Sequence, residues 1–503
     1  SDPGGLLADP ERQKLRSLGV ELSPGRSASV DREMSWVCAA LSAAEQRVSL
    51  LADAAQPSFL YSRTAALFPA LQPLCAEDFP FLPDCAAAAG AALRQGALPD
   101  WLPEAVRKEA RRLSLRCAYS FDAMRPEVVR ALYGRTIPLS ASKIDRFAGC
   151  RYAFFLQYGL CAAPWKQAEF DAPLFGSFVH DVLEHVVREA QARGGFAAMT
   201  DSEISALAER CMDSCMATYL PQGEAAASRE RYLSDRNRQE AAAVVMDVAR
   251  ELRLSQFSPA AEELRFAPNG SLPPIEYRTK NGSGLLTGQI DRVDTYEADG
   301  RSYFRIIDYK TGHKEFDYAE LLYGKNLQML LYLFALESYQ KQTGRPMQPA
   351  GVLYVPGRCD MVKLKPGEDP AHAGDERQKE LRRKGLLLND EAVLHAMEAY
   401  ETAPQYLPVE PGKNGLTGDL ASPAQLAELE RFVNGQVEAM IDEILSGAAA
   451  PNPIVRGPKD SECNYCDFSS ACHKDVCGIN PRRFAAVTSK EFWEELERRL
   501  EHG

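Results

Sequence analysis

The amino-acid sequence predicts an α/β fold. Three observations carry that expectation: a strand pair with two-residue alternation between Gly284 and Lys310, two helical segments with apolar stripes before and after it, and an alanine-rich, proline-punctuated stretch up to Tyr133 that reads as helices.

The strand pair comes first because it carries charge. From Tyr303 to Lys310 the side chains alternate faces, so Asp308 and Lys310 share one face with Phe304 and Ile306 behind them. Asp299-Gly300 supplies the turn back to a partner strand expected over Gly284 to Asp294, which carries Asp291. Two carboxylates and a lysine on neighbouring strands can hold a divalent metal beside a phosphodiester. D-x-K alone also fits an ordinary hairpin with a surface salt bridge, so other elements must decide.

Two helices supply them. Over Pro173 to Arg193, Phe178, Val182 and Val186 with Val179, Leu183 and Val187 form a broad apolar stripe, while Gly176, His180 and Glu184 lie one turn apart on a separate line. His180 therefore points away from the main stripe, and Gly176 leaves room beside it. Asn326 to Glu337 reads as a mostly buried helix in which Gln328 and Tyr332 are neighbours among Leu327, Leu330, Leu331 and Phe334. Polar side chains in so apolar a helix need partners.

The patterns G-x-x-x-H (Gly176 to His180), G-x-x-D-R-x-D (Gly288 to Asp294), D-Y-K (Asp308 to Lys310) and Q-x-x-x-Y (Gln328 to Tyr332) follow one another in order. In this the chain resembles the RecB-type branch of the PD-(D/E)XK nuclease superfamily. The resemblance implies a restriction-endonuclease-like domain with a mixed sheet flanked by helices. It also implies that His180, Asp291 and Asp308, with the backbone carbonyl of Tyr309, ligate Mg²⁺ or Mn²⁺. Lys310 would steady the nucleophilic water and the phosphate charge, and Gln328 with Tyr332 would orient the site or strand. Hard oxygen ligands suit Mg²⁺, and one nitrogen ligand leaves Mn²⁺ open.

Cysteines form a second constellation. Cys463, Cys466 and Cys472 stand in C-x2-C-x5-C, and Cys150 lies far upstream in F-A-G-C-R-Y-A-F-F, on the helix entering the nuclease region. Read alone, C-x2-C is equally half of a zinc knuckle or a pair of buried thiols. The arrangement around the nuclease motifs resembles nucleases in which one upstream and three downstream cysteines bind a [4Fe-4S] cluster that clasps the ends of the domain. Cys161 and Cys477 stand near enough to compete for the fourth position.

Composition sets further bounds. At 503 residues the chain has room for about three domains. Thirteen cysteines, no secretory leader and no run of membrane-spanning length argue against a disulfide framework and fit a reducing cytoplasm. A net charge of −12 argues against a general affinity for nucleic acid, so DNA contact is expected to be local or shared with another protein. Arg107 to Arg116, Arg229 to Arg238 and Arg377 to Lys384 are candidate basic tracks, each of which also reads as a solvated helix face.

The opening S-D-P-G-G-L-L-A-D-P-E-R has no initiator methionine and starts as if in the middle of a domain, as expected of a fragment or of an engineered chain. A helix is expected over Glu33 to Gln46, running into a strand at Arg47 to Ala52, then helices broken by Pro57, Pro69 and Pro73. With A-A-L-S-A-A-E-Q-R-V from Ala39 and L-S-A-S-K-I-D-R-F-A-G-C from Leu139, this region resembles the AddB family, one of the two components of bacterial ATP-dependent helicase/deoxyribonucleases. That resemblance implies a heterodimer with a helicase-nuclease partner, AddA, that resects double-strand DNA breaks, taking a single-stranded tail as substrate. Ala43 stands where related motor helicases carry an ATP-contacting arginine, and no G-x-x-x-x-G-K-[ST] loop occurs, so no ATPase activity is expected.

The expected organisation is an α-rich end of an inactive helicase-like domain over 1–135, a nuclease domain over 138–478 closed by the cluster, and a C-terminal helix over 480–503. Asp360 to Leu420 is expected as a flexible loop or solvated insertion. Two further readings stand beside this one: a stand-alone Fe-S single-strand exonuclease, and a non-catalytic DNA-binding scaffold.

Overall fold

The structure is a computed structural model describing residues 9–20, 22, 26–45, 48, 50, 52, 57–70, 89–90, 98, 102–117, 123–164, 172–219, 228–312, 314–358, 378–413, 415–457, 460–472, 479–483 and 485–502. It has two compact units, Ser1–Ser114 and Leu115–Gly503.

The described elements of the smaller unit are helices, among them Asp9–Ser17, Arg26–Ser42 and Phe59–Leu67. Ser58 caps the last by accepting a hydrogen bond from the Tyr61 N–H, and the helix fits between Pro57 and Pro69, as proline's missing donor requires. The helix expected over Glu33 to Gln46 starts earlier and stops at Ser42. Of the strand expected at Arg47 to Ala52 only Val48, Leu50 and Ala52 are among the described residues, and none of these three is in a strand.

In the larger unit β1 (Thr136–Leu139), α1 (Ala141–Gly149), α2 (Ala172–Ala192), α3 (Asp201–Tyr219) and α4 (Ser228–Leu254) precede β2 (Ser258–Phe266), β3 (Ile275–Arg278), β4 (Ser283–Leu286), β5 (Gly288–Ala298) and β6 (Arg301–Lys310). Then come α5 (Gln328–Gln342), β7 (Gln348–Pro356), β8 (Lys384–Leu388), β9 (Val409–Gly412), β10 (Gly415–Gly418), β11 (Leu420–Ala421), α6 (Pro423–Leu445), β12 (Ile454–Gly457), β13 (Asp460–Ser461), β14 (Arg482–Arg483) and α7 (Ser489–His502). The central sheet is mixed, in the order β11-β8-β7-β6-β5-β2, with β6 and β7 parallel and β5 and β6 antiparallel. Helices flank it, as the α/β expectation requires.

The β5–β6 hairpin turns at Asp299 and Gly300, both with positive φ (51° and 71°), the pair that a two-residue turn matched to strand twist needs. The partner strand is shorter than expected. Gly284 to Asp294 is two strands, because the chain leaves the hairpin at Thr287 and β4 pairs instead with β1 and β3. A Cβ on Gly284 would lie 2.6 Å from Ile441 Cδ1, so this segment is held under α6.

The expected stripe on α2 is buried throughout, with Phe178, Val182 and Val186 inaccessible to solvent. The region Asp360 to Leu420 departs from the flexible-loop expectation wherever it is described. Residues 360–377 lie outside the described residues, but Lys384-Gly-Leu-Leu-Leu388 is an interior strand paired with β7, followed by a short helix, a hairpin and β11. An apolar run covered on both faces reads as a strand only when its partners are known. The C-terminal helix begins at Ser489 rather than 480, since Arg482 and Arg483 pair with β12, and it buries Phe492 and Leu496 against the same body.

Register places two chemistries on opposite faces of the hairpin. Arg292 pairs with Ile307 and Asp294 with Arg305, so these turn to one face while Asp291, Asp308 and Lys310 turn to the other. On the first face, Arg292 makes a bidentate ion pair with Asp294 (2.7 and 3.0 Å) and donates to the Tyr309 hydroxyl at 2.7 Å. Arg305 reaches Asp294 at 2.9 Å and Glu251 of α4 at 3.1 Å, and Arg383 reaches Glu251 at 2.8 Å and Asp247 at 2.5 Å. Three arginines thus meet three carboxylates in the interior, so each buried charge has a counter-ion to offset its desolvation.

Gly288 begins β5 because nothing larger fits. A Cβ there would lie 2.0 Å from the Tyr332 hydroxyl oxygen, and the Tyr332 ring is itself stacked on Phe266 at 5.8 Å. Gly288→Ala is expected to lower stability by about 1–3 kcal/mol, the usual cost of overpacking, measured by denaturant unfolding.

Candidate active site

Four elements converge at one end of the hairpin. α2 brings His180, β5 brings Asp291, β6 brings Asp308 and Lys310, and α5 brings Gln328. His180 Nε2 donates to the Tyr309 carbonyl at 2.7 Å, while Nδ1 faces Asp291 Oδ2 at 3.3 Å. The same Asp291 oxygen accepts the Tyr309 N–H at 2.7 Å, so helix, carboxylate and strand backbone are tied together. Lys310 Nζ stands 2.5 Å from Asp308 Oδ2, and Gln328 Nε2 donates to Asp308 Oδ1 at 3.4 Å. Gly176, one turn before His180, is small because Thr311 crosses there, its Oγ1 only 3.1 Å from where a Cβ would stand.

Burial makes these charges matter. Asp308 is raised to about 6, first by desolvation and then by the charge of Asp291, with Lys310 opposing. Desolvation alone would push the His180 imidazole down, but its hydrogen bond to Asp291 and that residue's charge outweigh it and raise it to about 9. Both ring nitrogens face acceptors, which is the arrangement of an imidazolium.

One acid was missed in the sequence. Glu263 on β2 lies between the pairs Glu262↔Arg292 and Leu264↔Ile290, opposite Asp291, with a positive φ of 51°. Burial, then the Asp291 charge, pushes its carboxyl up to about 7. His180, Glu263 and Asp291 each offer a ligand atom within 4.8 Å of the others, the one such group among the described residues. Asp308, expected among the metal ligands, sits beside this group in its pair with Lys310. No local motif marks Glu263, since only strand pairing brings it to Asp291.

Residues 138–473 match the PD-(D/E)XK nuclease superfamily, two thirds of the chain and all of the elements just described. The chain belongs to this superfamily. PD-(D/E)XK nucleases generally use a divalent metal, and a carboxylate-rich cluster beside a lysine on a β-hairpin has the donors for one. The chain is also similar to AddB proteins, each named as a component of an ATP-dependent helicase/deoxyribonuclease. That of Moorella thermoacetica is 29% identical over 97% of this chain and 46% of the relative. Those of Acetivibrio thermocellus and Clostridium novyi are 31% and 26% identical, over 72% and 99% of this chain and 32% and 48% of theirs. The chain spans less than half the length of these relatives.

The PD-(D/E)XK match runs past all four expected cysteines. Cys150, Cys463, Cys466 and Cys472 line one pocket together with Tyr152 and Phe468, and none is in a disulfide. Cys150 lies not within a helix but at the junction after α1, with extended backbone. Around it the two ends of the domain are tied. Arg151 makes a bidentate ion pair with Glu443 at 2.8 Å and Arg482 donates to the Ala148 and Gly149 carbonyls. Cys161 is exposed and away from this pocket, and Cys477 lies outside the described residues.

The basic tracks are largely occupied by the protein itself. Arg107 and Arg112 pair with Glu104 and Glu109, Arg238 with Glu209 and Asp213, and Arg383 belongs to the buried network. Among the described residues no helix is long and apolar enough to cross a membrane.

Proposed function

We propose that the chain is a divalent-cation-dependent deoxyribonuclease, the nuclease-bearing part of an AddB protein that resects broken DNA for recombinational repair together with AddA. The observation that carries this reading is the convergence of His180, Glu263, Asp291, Asp308 and Lys310 at one end of the β5–β6 hairpin. The names of the relatives support the substrate and the partner. Their lengths leave room for a motor-like region beyond this chain, and Ala43 supports assigning no ATP hydrolysis to these residues.

The donor set fits Mg²⁺ or Mn²⁺. His180, on giving up a ring proton, would hold the ion with Asp291, Asp308 and the Tyr309 carbonyl, and Glu263 would add a carboxylate. When bound, such an ion lowers the pKa of a coordinated water and offsets phosphate charge. Lys310, held at Asp308, presents a fixed positive charge to the scissile phosphate. Gln328 fixes the second oxygen of Asp308, and Tyr332 secures the start of β5.

The test is Mg²⁺-dependent cleavage of end-labelled single-stranded DNA by the purified chain, with and without AddA. Cleavage that survives chelation, or no cleavage in either state, would overturn the reading. Lys310→Ala is expected to leave metal affinity nearly intact while slowing cleavage by roughly 10²–10³-fold. Equal loss of both, by calorimetric metal titration against cleavage rate, would make the lysine an organiser of the site instead.

We further propose that Cys150, Cys463, Cys466 and Cys472 bind a [4Fe-4S] cluster that staples the domain. Four thiolates on one zinc at about 2.3 Å would stand about 3.8 Å apart. A [4Fe-4S] cluster takes four thiolates set farther apart, and the four cysteines that line one pocket supply that number. Cys466→Ala is expected to lose iron, to expose the segment after Pro451 to protease and to weaken DNA binding. An iron-free variant with unchanged proteolysis and binding would overturn the staple.

A further inference from the structure

Beyond Lys310 the surface changes character. The parallel strands β6 and β7 end together, with Lys310 opposite Pro356, and antiparallel β8 begins at the same edge, with Lys384 opposite Tyr354. The crevice outside the carboxyl ends of parallel strands is where such sheets leave room for ligands. Here the Gly357 N–H donates to the Lys310 carbonyl at 2.8 Å and holds two loops together. Between them and β8 lies a pocket lined by Lys310, Lys314, Arg358, Lys379, Arg382 and Lys384 against the carboxylates of Glu315 and Glu380. In a chain of net charge −12, six cations around one pocket are a local reversal of sign.

Most of these cations have protein partners. Arg382 pairs with Glu410 and donates to the Leu407 carbonyl, Arg358 pairs with Glu240, and Lys384 stands 3.2 Å from Glu315. Lys314 is different. It is more than half buried, its pKa is lowered by desolvation, and among the described residues no carboxylate lies within ion-pair distance of it. Glu320 and Asp145 favour its charge from farther off and Lys310 opposes it, so its desolvation is only partly offset, and an anion bound in the pocket would supply the rest.

We propose that this pocket is a second phosphate subsite, in which Lys314, supported by Lys384, binds the backbone phosphate next to the one at Lys310. The inference rests on the nuclease reading for its substrate and goes beyond it in assigning residues outside the metal cluster. Lys310 belongs to both places: its ammonium touches Asp308 and its side chain lines the basic pocket. A strand entering the site therefore meets two fixed cations in succession, which sets its register before cleavage.

The test compares the full chain with Lys314→Gln and Lys384→Gln, after circular dichroism has shown equal folding, in binding to single-stranded oligonucleotides across salt concentrations. Lys314→Gln is expected to weaken binding about tenfold at low salt and to flatten the slope of log affinity against log salt by about 0.7, the value for one lost phosphate contact on a single strand. Placing one neutral methylphosphonate beside the scissile linkage should cost the wild-type chain the same tenfold and cost the variant nothing more. Unchanged affinity and slope in Lys314→Gln would overturn the subsite. A neutral linkage without effect, together with mononucleotide inhibition that Lys314→Gln abolishes, would also overturn it by assigning the pocket to released product. Because binding is read without turnover, a wild-type chain that binds but does not cleave would count against the nuclease reading alone.

Discussion

Asp308→Ala is expected to cut Mg²⁺-dependent cleavage of single-stranded DNA about a thousandfold, roughly 4 kcal/mol at the barrier, with iron content unchanged. The carboxylate is buried and is shared between Lys310 and Gln328, so its removal deprives one of its counter-ion and the other of its acceptor. Both then lose the position that makes them useful at a phosphate. The measurement is single-turnover cleavage of end-labelled substrate beside a metal titration. A variant that retains even a tenth of the wild-type rate would move the chemistry to the His180, Glu263 and Asp291 cluster alone.

Glu251→Gln is expected to be the most destabilising single-atom exchange on the far side of the hairpin, by about 3–5 kcal/mol in denaturant unfolding. Its two oxygens serve Arg305 at 3.1 Å and Arg383 at 2.8 Å, both arginines are inaccessible to solvent, and an amide leaves their charge uncompensated. Desolvation would raise the Glu251 carboxyl, but the charges of Arg383 and Arg305 outweigh it and hold it at about 2, below its ordinary 4.5. A depressed acid lends its stabilisation fully above the unfolded value and loses it as pH falls toward the folded one. The wild-type advantage over Glu251→Gln should therefore be constant above about pH 4.5 and shrink between there and pH 2. A gap that does not narrow on acidification would show that the amide acts through packing rather than charge.

What the sequence made legible was periodic or local. Alternation located Asp308 and Lys310, Asp299-Gly300 located the turn, and the stripe on α2 separated His180 from Phe178 and Val182. What it hid depends on distant partners. The break at Thr287 follows from α6 lying over Gly284, and β8 becomes a strand because β7 lies beside it. Glu263 joins the site only through the pairing of β2 with β5. The D-R-x-D motif also concealed a division of labour, since one residue of offset turns Asp291 to the site and Arg292 with Asp294 to the buried network. Arg383 sat in a stretch that looked like a surface track for the same reason: Glu251 and Asp247 stand more than a hundred positions upstream in sequence.

The contact between Arg482 and the Ala148 carbonyl spans 334 positions of sequence. A ribosome adding 5–20 residues per second makes the first partner on the order of half a minute before the second exists. Once Lys310 has been added, about half-way through that interval, the nascent chain holds the residues of its hairpin and its reactive charges, yet the lock on its fold has not been synthesised. Closure is thus a timing device: the domain is finished only when its last segment is made, and a ribosome stalled before Arg482 leaves an open body exposed to proteases.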